Sequence, residues 1–136
     1  MNINLTHLLR YFDKTNGRAS EELIAETQRN LDFVLPQDYL SVMREFNGGE
    51  GEIGDGSYLI LLKMENLILM NSDYEFLMQE IPDYFLFGKD AADTAFAFHK
   101  KQHSYHSFGF LSDFRTDEIE FCGNNFEEFL EHLSNR

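Results

Sequence analysis

A single cysteine, Cys122, leaves no partner for a disulfide within the chain. A reducing compartment suits such a protein, and the cytoplasm is the expected one. Positive charge is also scarce. Eleven Lys and Arg stand against twenty-four Asp and Glu, a formal net charge of -13. That field repels nucleic acid and anionic membranes and attracts basic partners; its other use is solubility. No apolar stretch approaches the roughly 20 residues that cross a membrane. The opening MNINLTHLLRYFDK has no basic start and no small-residue cleavage site. It does not read as a signal peptide.

Catalytic signatures are missing too. EFNGGEGEIGDG follows a helical pattern and lacks the Lys and Ser/Thr of a phosphate-binding loop. Glu50, Glu52 and Asp55 would repel phosphate, and their spacing is not that of an EF-hand. His99, His103 and His106 form H-x3-H-x2-H, with Asp113 near in sequence. On a strand, residues three apart point to opposite faces, so these histidines are not expected to converge on a metal. Cys122 lies in an apolar strand pattern and reads as an inert buried thiol. Ser57, Ser72 and Ser107 lack a nucleophile elbow. The residues therefore nominate no catalytic group, no metal and no cofactor, and the chain reads as a non-enzyme. Its aromatics could stack on bases, but the surrounding Lys and Arg are too few for nucleic-acid binding.

What is present is core. Hydrophobic residues make up 43% of the 136, and Phe alone contributes 14. That is one ordinary domain, 1-136, and not a disordered chain. Ile3, Leu5, Leu8, Leu9 and Phe12 predict a first helix over 3–12. Ser20 caps a second, with Glu21 and Glu22 at its positive end and Leu23, Ile24 and Thr27 inward. Leu35-Pro36 opens a third, with Asp38 in its first turn and Tyr39, Val42, Met43 and Phe46 on one stripe. Asn47, Gly48, Gly49 and Gly51 then read as a tight, solvent-facing turn into the sheet, Gly48 being left-handed. Strands are expected at 57–62, 81–88, 94–100, 103–111 and 118–123. Residues 64–77 read as a short helix followed by an extended or irregular stretch. Asn125 and Glu128 approach a capping box, and Phe126, Phe129, Leu130 and Leu133 mark a closing helix. The order predicts an α+β fold: N-terminal helices, a mainly antiparallel sheet covered on one face, and a C-terminal helix.

Leu35-Pro36-x-Asp38-Tyr39, then Phe46-Asn47-Gly48-Gly49-Glu50-Gly51, closely resembles the SMI1/KNR4 family of the SUKH superfamily. Tyr58-Leu59, Leu61-Leu62, Glu65, Asn71, Phe87-Gly88-x-Asp90, Phe96-Ala97-Phe98 and Asn125-Phe126-Glu127-Glu128-Phe129-Leu130 continue the likeness in order. It spans residues 20–133. One departure is Ala91-Ala92-Asp93, where relatives often carry glycines. The resemblance implies a protein-binding module. Many bacterial members look like immunity proteins that bind and neutralise a cognate toxin domain, often a nuclease with a basic substrate channel. Eukaryotic relatives include regulators of cell-wall synthesis and signalling. A regulatory or scaffolding role is therefore the alternative.

For a basic partner, the residues favour one region. Asp73, Tyr74, Glu75, Asp83 and Tyr84 interleave acids with amphipathic rings. The alternative is that the tyrosines pack on the sheet while the acids face water.

Overall fold

The computed structural model describes residues 1–136. Three helices come first: α1 (Ile3–Leu8), α2 (Glu21–Arg29) and α3 (Gln37–Glu45). Strands β1 (Gly49–Ile53) and β2 (Ser57–Leu61) form a hairpin. A 3₁₀ turn (Met64–Asn66) leads into α4 (Leu67–Asp73) and α5 (Glu75–Met78). Then come β3 (Tyr84–Lys89), β4 (Thr94–His99), β5 (Tyr105–Gly109), β6 (Glu120–Gly123) and α6 (Phe126–Ser134). All six strands pair antiparallel with their chain neighbours, in the order β1-β2-β3-β4-β5-β6. The fold is α+β with a closing helix, as its pattern predicts.

Helix starts follow their caps. Asn2, Ser20 and Asn125 each accept a hydrogen bond from a first-turn amide, at Leu5, Leu23 and Glu128. Glu128 also accepts from the backbone N–H of Asn124 at 2.9 Å, so the capping box closes one residue before the cap.

The main core lies between the sheet and α1, α2, α3 and α6. Phe87, Phe96, Phe98, Tyr105, Phe126 and Phe129 are buried in it and meet edge-on, tilted or stacked. Each such phenylalanine contributes about 2–3 kcal/mol through burial. Asp38 ties three elements together here. Its Oδ1 accepts from the Tyr39 amide at 2.9 Å and the Tyr105 hydroxyl at 3.1 Å, and its Oδ2 from the Phe126 amide at 2.5 Å. Tyr105 brings β5, and Phe126 brings the first turn of α6. The hydroxyl of Tyr39 is buried without a partner.

Four expectations change. The sheet is covered on both faces over its centre, not one. Leu77, Met78, Ile81, Leu86, Ala95, Ala97 and Phe108 form a second cluster beneath α4, α5 and the loop after β5. Alternation along β3, β4 and β5 requires it, since both sides of those strands are buried. Second, residues 64–77 are helical on both sides of a turn at Tyr74, and α5 carries Leu77 and Met78 into that cluster. Third, α1 ends at Leu8. The chain then crosses the edge of β1, where the Asp13 amide donates to the Glu50 carbonyl at 2.8 Å and shields that edge.

The fourth concerns the glycines. Asn47 and Gly48 lie in the junction, buried instead of solvent-facing, and Gly48 is left-handed at φ 76. Gly49 and Gly51 belong to β1 instead of a turn. A Cβ on Gly51 would stand 2.5 Å from the Tyr11 carbonyl oxygen and 2.8 Å from the Phe12 Cα. Gly51 is needed for the close passage of residues 11–13, not for chain reversal. The Ala91-Ala92 departure is accommodated without positive φ. Asp90 Oδ1 accepts from the amides of Ala92 and Thr94 at 2.8 and 3.0 Å and makes the turn itself.

Two strand pairings are unequal. β1 and β2 pair over five residues, but β2 and β3 share only Ile60↔Lys89 and Leu61↔Gly88. Asn47 fastens the junction nearby. Its amide nitrogen donates to Glu65 at 2.7 Å, and its oxygen accepts from the Met64 amide at 2.8 Å. The Glu65 carboxyl is held below its usual range by a bond to its own backbone N–H and then by Asn47.

Candidate functional site

The five residues of the acidic-aromatic region flank the second cluster. Asp73 ends α4, Tyr74 joins α4 to α5, and Glu75 begins α5. Asp83 immediately precedes β3, and Tyr84 is its first residue. The three acids are exposed, while the two tyrosines are half-buried. Tyr74 packs on Phe110, with centroids 4.6 Å apart. Tyr84 stands edge-on to His99 and His106 at 5.2 and 5.1 Å. Burial, then the neighbouring Asp83, pushes the Tyr84 hydroxyl up. Both rings are therefore largely packing groups, and the acids supply the surface character. Lys101 approaches Asp83 only to 4.0 Å, at the outer limit of an ion pair.

The surface also carries apolar side chains that the spacing alone did not nominate. Phe76 on α5 is 85% exposed, Leu111 after β5 is 88% exposed, and Leu69 on α4 is 60% exposed. Phe76 sits between Glu75 and the buried pair Leu77 and Met78. A helical reading of 74–81 would have found it. Tyr74, Leu77, Met78 and Ile81 fill the inward stripe, which leaves Phe76 pointing out. Phe110 packs inward on Tyr74, so its neighbour Leu111 is turned to solvent.

The three histidines of H-x3-H-x2-H take separate partners. His103, at φ 57, reaches the Val34 carbonyl with Nε2 at 2.8 Å. His99 Nδ1 accepts from the amides of Lys101 and Gln102. His106 is buried, with Nε2 2.7 Å from the Ser104 hydroxyl and Nδ1 unpartnered. Burial, and then nearby His99, hold His106 below the ordinary histidine range. Cys122 is buried in the main core, and its thiol is pushed up chiefly by that burial. It is not an activated nucleophile.

The largest cleft, about 410 Å³, lies among α1, α3 and α6. Asp38, Glu127, Glu128 and Glu131 line it. Its acids are already engaged. Asn2 and Asn4 donate to Glu127 at 2.7 and 2.9 Å, and Asn4 to Glu131 at 3.0 Å. No helix is long and apolar enough to cross a membrane.

The architecture defines a small α+β domain with an acidic exterior and an exposed aromatic shoulder on its second face. The chain belongs to the SMI1 / KNR4 family (SUKH-1), whose profile matches residues 18–132. A search of curated proteins finds no match.

Proposed function

We propose that this chain is a non-catalytic protein-binding module that neutralises a cognate bacterial toxin domain by stoichiometric binding. Family membership supports the class. Phe76 carries the assignment of the surface. A phenylalanine 85% exposed beside Asp73 and Glu75 combines an aromatic anchor with charge of one sign. The partner that fits has an apolar pocket set in a basic surface, the character of a phosphate-binding channel. Asp83 extends the acidic rim, and Tyr74 and Tyr84 support it from below.

The test pairs the chain with a toxin domain encoded beside its gene. A one-to-one complex that suppresses toxicity is expected. Phe76→Ala should weaken it by about 2 kcal/mol, roughly thirtyfold, mainly through faster dissociation. Asp73→Asn, Glu75→Gln and Asp83→Asn together should slow association and flatten its salt dependence. Unchanged kinetics in both variants would remove this surface from the proposal. Failure to bind or protect against any adjacent toxin would count against immunity and favour a regulatory partner.

A further inference from the structure

Glu120 and Cys122 are two residues apart on β6 and share the side of the strand that faces α6. His132 lies in the last turn of α6 and turns back onto that strand. One oxygen of Glu120, the Cys122 sulfur and one ring nitrogen of His132 all lie within 4.8 Å of one another. Nothing in their sequence spacing announces this, since the helix returns across the sheet before the histidine arrives.

We propose that Glu120, Cys122 and His132 form a binding site for a thiophilic divalent cation of the zinc type. A tetrahedral ion needs ligand atoms about 3.3–3.8 Å apart, with bonds of about 2.0 Å to N and O and about 2.3 Å to S. The cluster is already close to that size. His132 Nε2 and Glu120 Oε1 stand 2.5 Å apart and must open slightly. The Glu120 side chain is half exposed, and its Oε1 exchanges the Arg136 contact for the ion. Three protein ligands leave a fourth position for water. The donor set of thiolate, imidazole and carboxylate selects zinc-like ions over magnesium or calcium.

The chain already places a cation here. Arg136 Nη2 donates to Glu120 Oε1 at 2.9 Å and to the Ser107 hydroxyl at 3.1 Å. Ser107 is the register partner of Glu120 on β5. The guanidinium occupies the acceptor side of the cluster as a stand-in charge. Arg136 also borders a cleft of about 190 Å³ that includes Asp90, which gives the displaced side chain another acidic neighbour. Metal binding is therefore an exchange of cations at Glu120, with the sulfur and the imidazole as the added attraction.

The test uses the full chain without a histidine tag, titrated with zinc by calorimetry and by competition against a chromogenic chelator. One ion per chain with low-micromolar or tighter affinity is expected. Cys122→Ser and His132→Gln should each weaken binding by about tenfold or more. Arg136→Gln should strengthen it. Cobalt in place of zinc should give tetrahedral d–d bands and a thiolate-to-cobalt charge-transfer band. No competition at tens of micromolar zinc would overturn the proposal. So would undiminished binding in His132→Gln, or a cobalt spectrum lacking the sulfur band. Because the cobalt spectrum is read on the unmodified chain, the proposal stays testable even if Cys122→Ser fails to fold.

Discussion

Replacing Asp38 with alanine strips the acceptor from two groups that lie far away in sequence. The Tyr105 hydroxyl is buried and has Asp38 as its partner at 3.1 Å; the Phe126 amide starts α6 and donates to the same carboxylate at 2.5 Å. Hydrogen bonds to a charged group contribute about 1.5–3 kcal/mol each, so the two together set a ceiling of about 3–6 kcal/mol. The adjoining cleft, lined by both Asp38 and Phe126, lets solvent offset part of the loss. The expected loss is therefore near the lower bound, about 3 kcal/mol, or roughly 10 °C in Tm for a domain of this size. Asp38→Asn keeps the shape but turns an acceptor into an N–H donor. With its oxygen toward Phe126 its NH2 faces the Tyr39 N–H, and turned the other way it faces the Phe126 N–H, so it should lose roughly half as much. Urea unfolding followed by circular dichroism measures this. Tyrosine emission gives a second probe, because the chain has no tryptophan. Combined with Tyr105→Phe, the cycle should show a coupling of about 1 kcal/mol. An Asp38→Ala variant within about 0.5 kcal/mol of the parent, or strict additivity with Tyr105→Phe, would refute the reasoning.

Three further outcomes follow from the same geometry. Gly51→Ala forces a Cβ to 2.5 Å from the Tyr11 carbonyl and should cost about 1–3 kcal/mol; unaltered unfolding would mean the 11–13 crossing is not fixed. Tyr39→Phe removes a buried hydroxyl with no partner, so stability should hold or rise by up to about 1 kcal/mol, and a loss would expose a missing partner. His106 is held below its ordinary pKa of 6.5. The unfolded histidine then takes its proton first, so its contribution is complete above pH 6.5 and is lost as pH falls through the folded value. An NMR titration of His106 with its midpoint at or above 6.5 would contradict this.

Legibility in the sequence tracked how local each signal was. The caps at Ser20 and Asn125 and the stripe from Tyr39 to Phe46 are set within one or two turns, and the structure keeps them. The second cluster was missed because alternation in β4 reads Ala-Phe-Ala-Phe, and small Ala95 and Ala97 do not look like a buried face. They share that cluster with Leu77 and Met78 of α5. Gly51 was misread for a related reason. A glycine that admits another segment looks, in sequence, like one that turns the chain. Asp38 was legible only as a charge at a helix start, since its partners lie 67 and 88 residues away. The candidate interface was half visible. Its acids could be placed, but Phe76 emerges only once α5 is known to be helical.

The short ladder between β2 and β3 divides the sheet into a two-stranded and a four-stranded part. Only two register pairs cross it. Helix α6 packs on β1 and β2 from one part and on β5 and β6 from the other. It thus acts as a clamp across a seam. A sub-global opening that lifted α6 would let the hairpin part from the rest while β3 to β6 stayed paired. Whatever steadies α6, from the carboxylate at its first turn to a cation at its last, also governs how cooperatively the whole sheet melts.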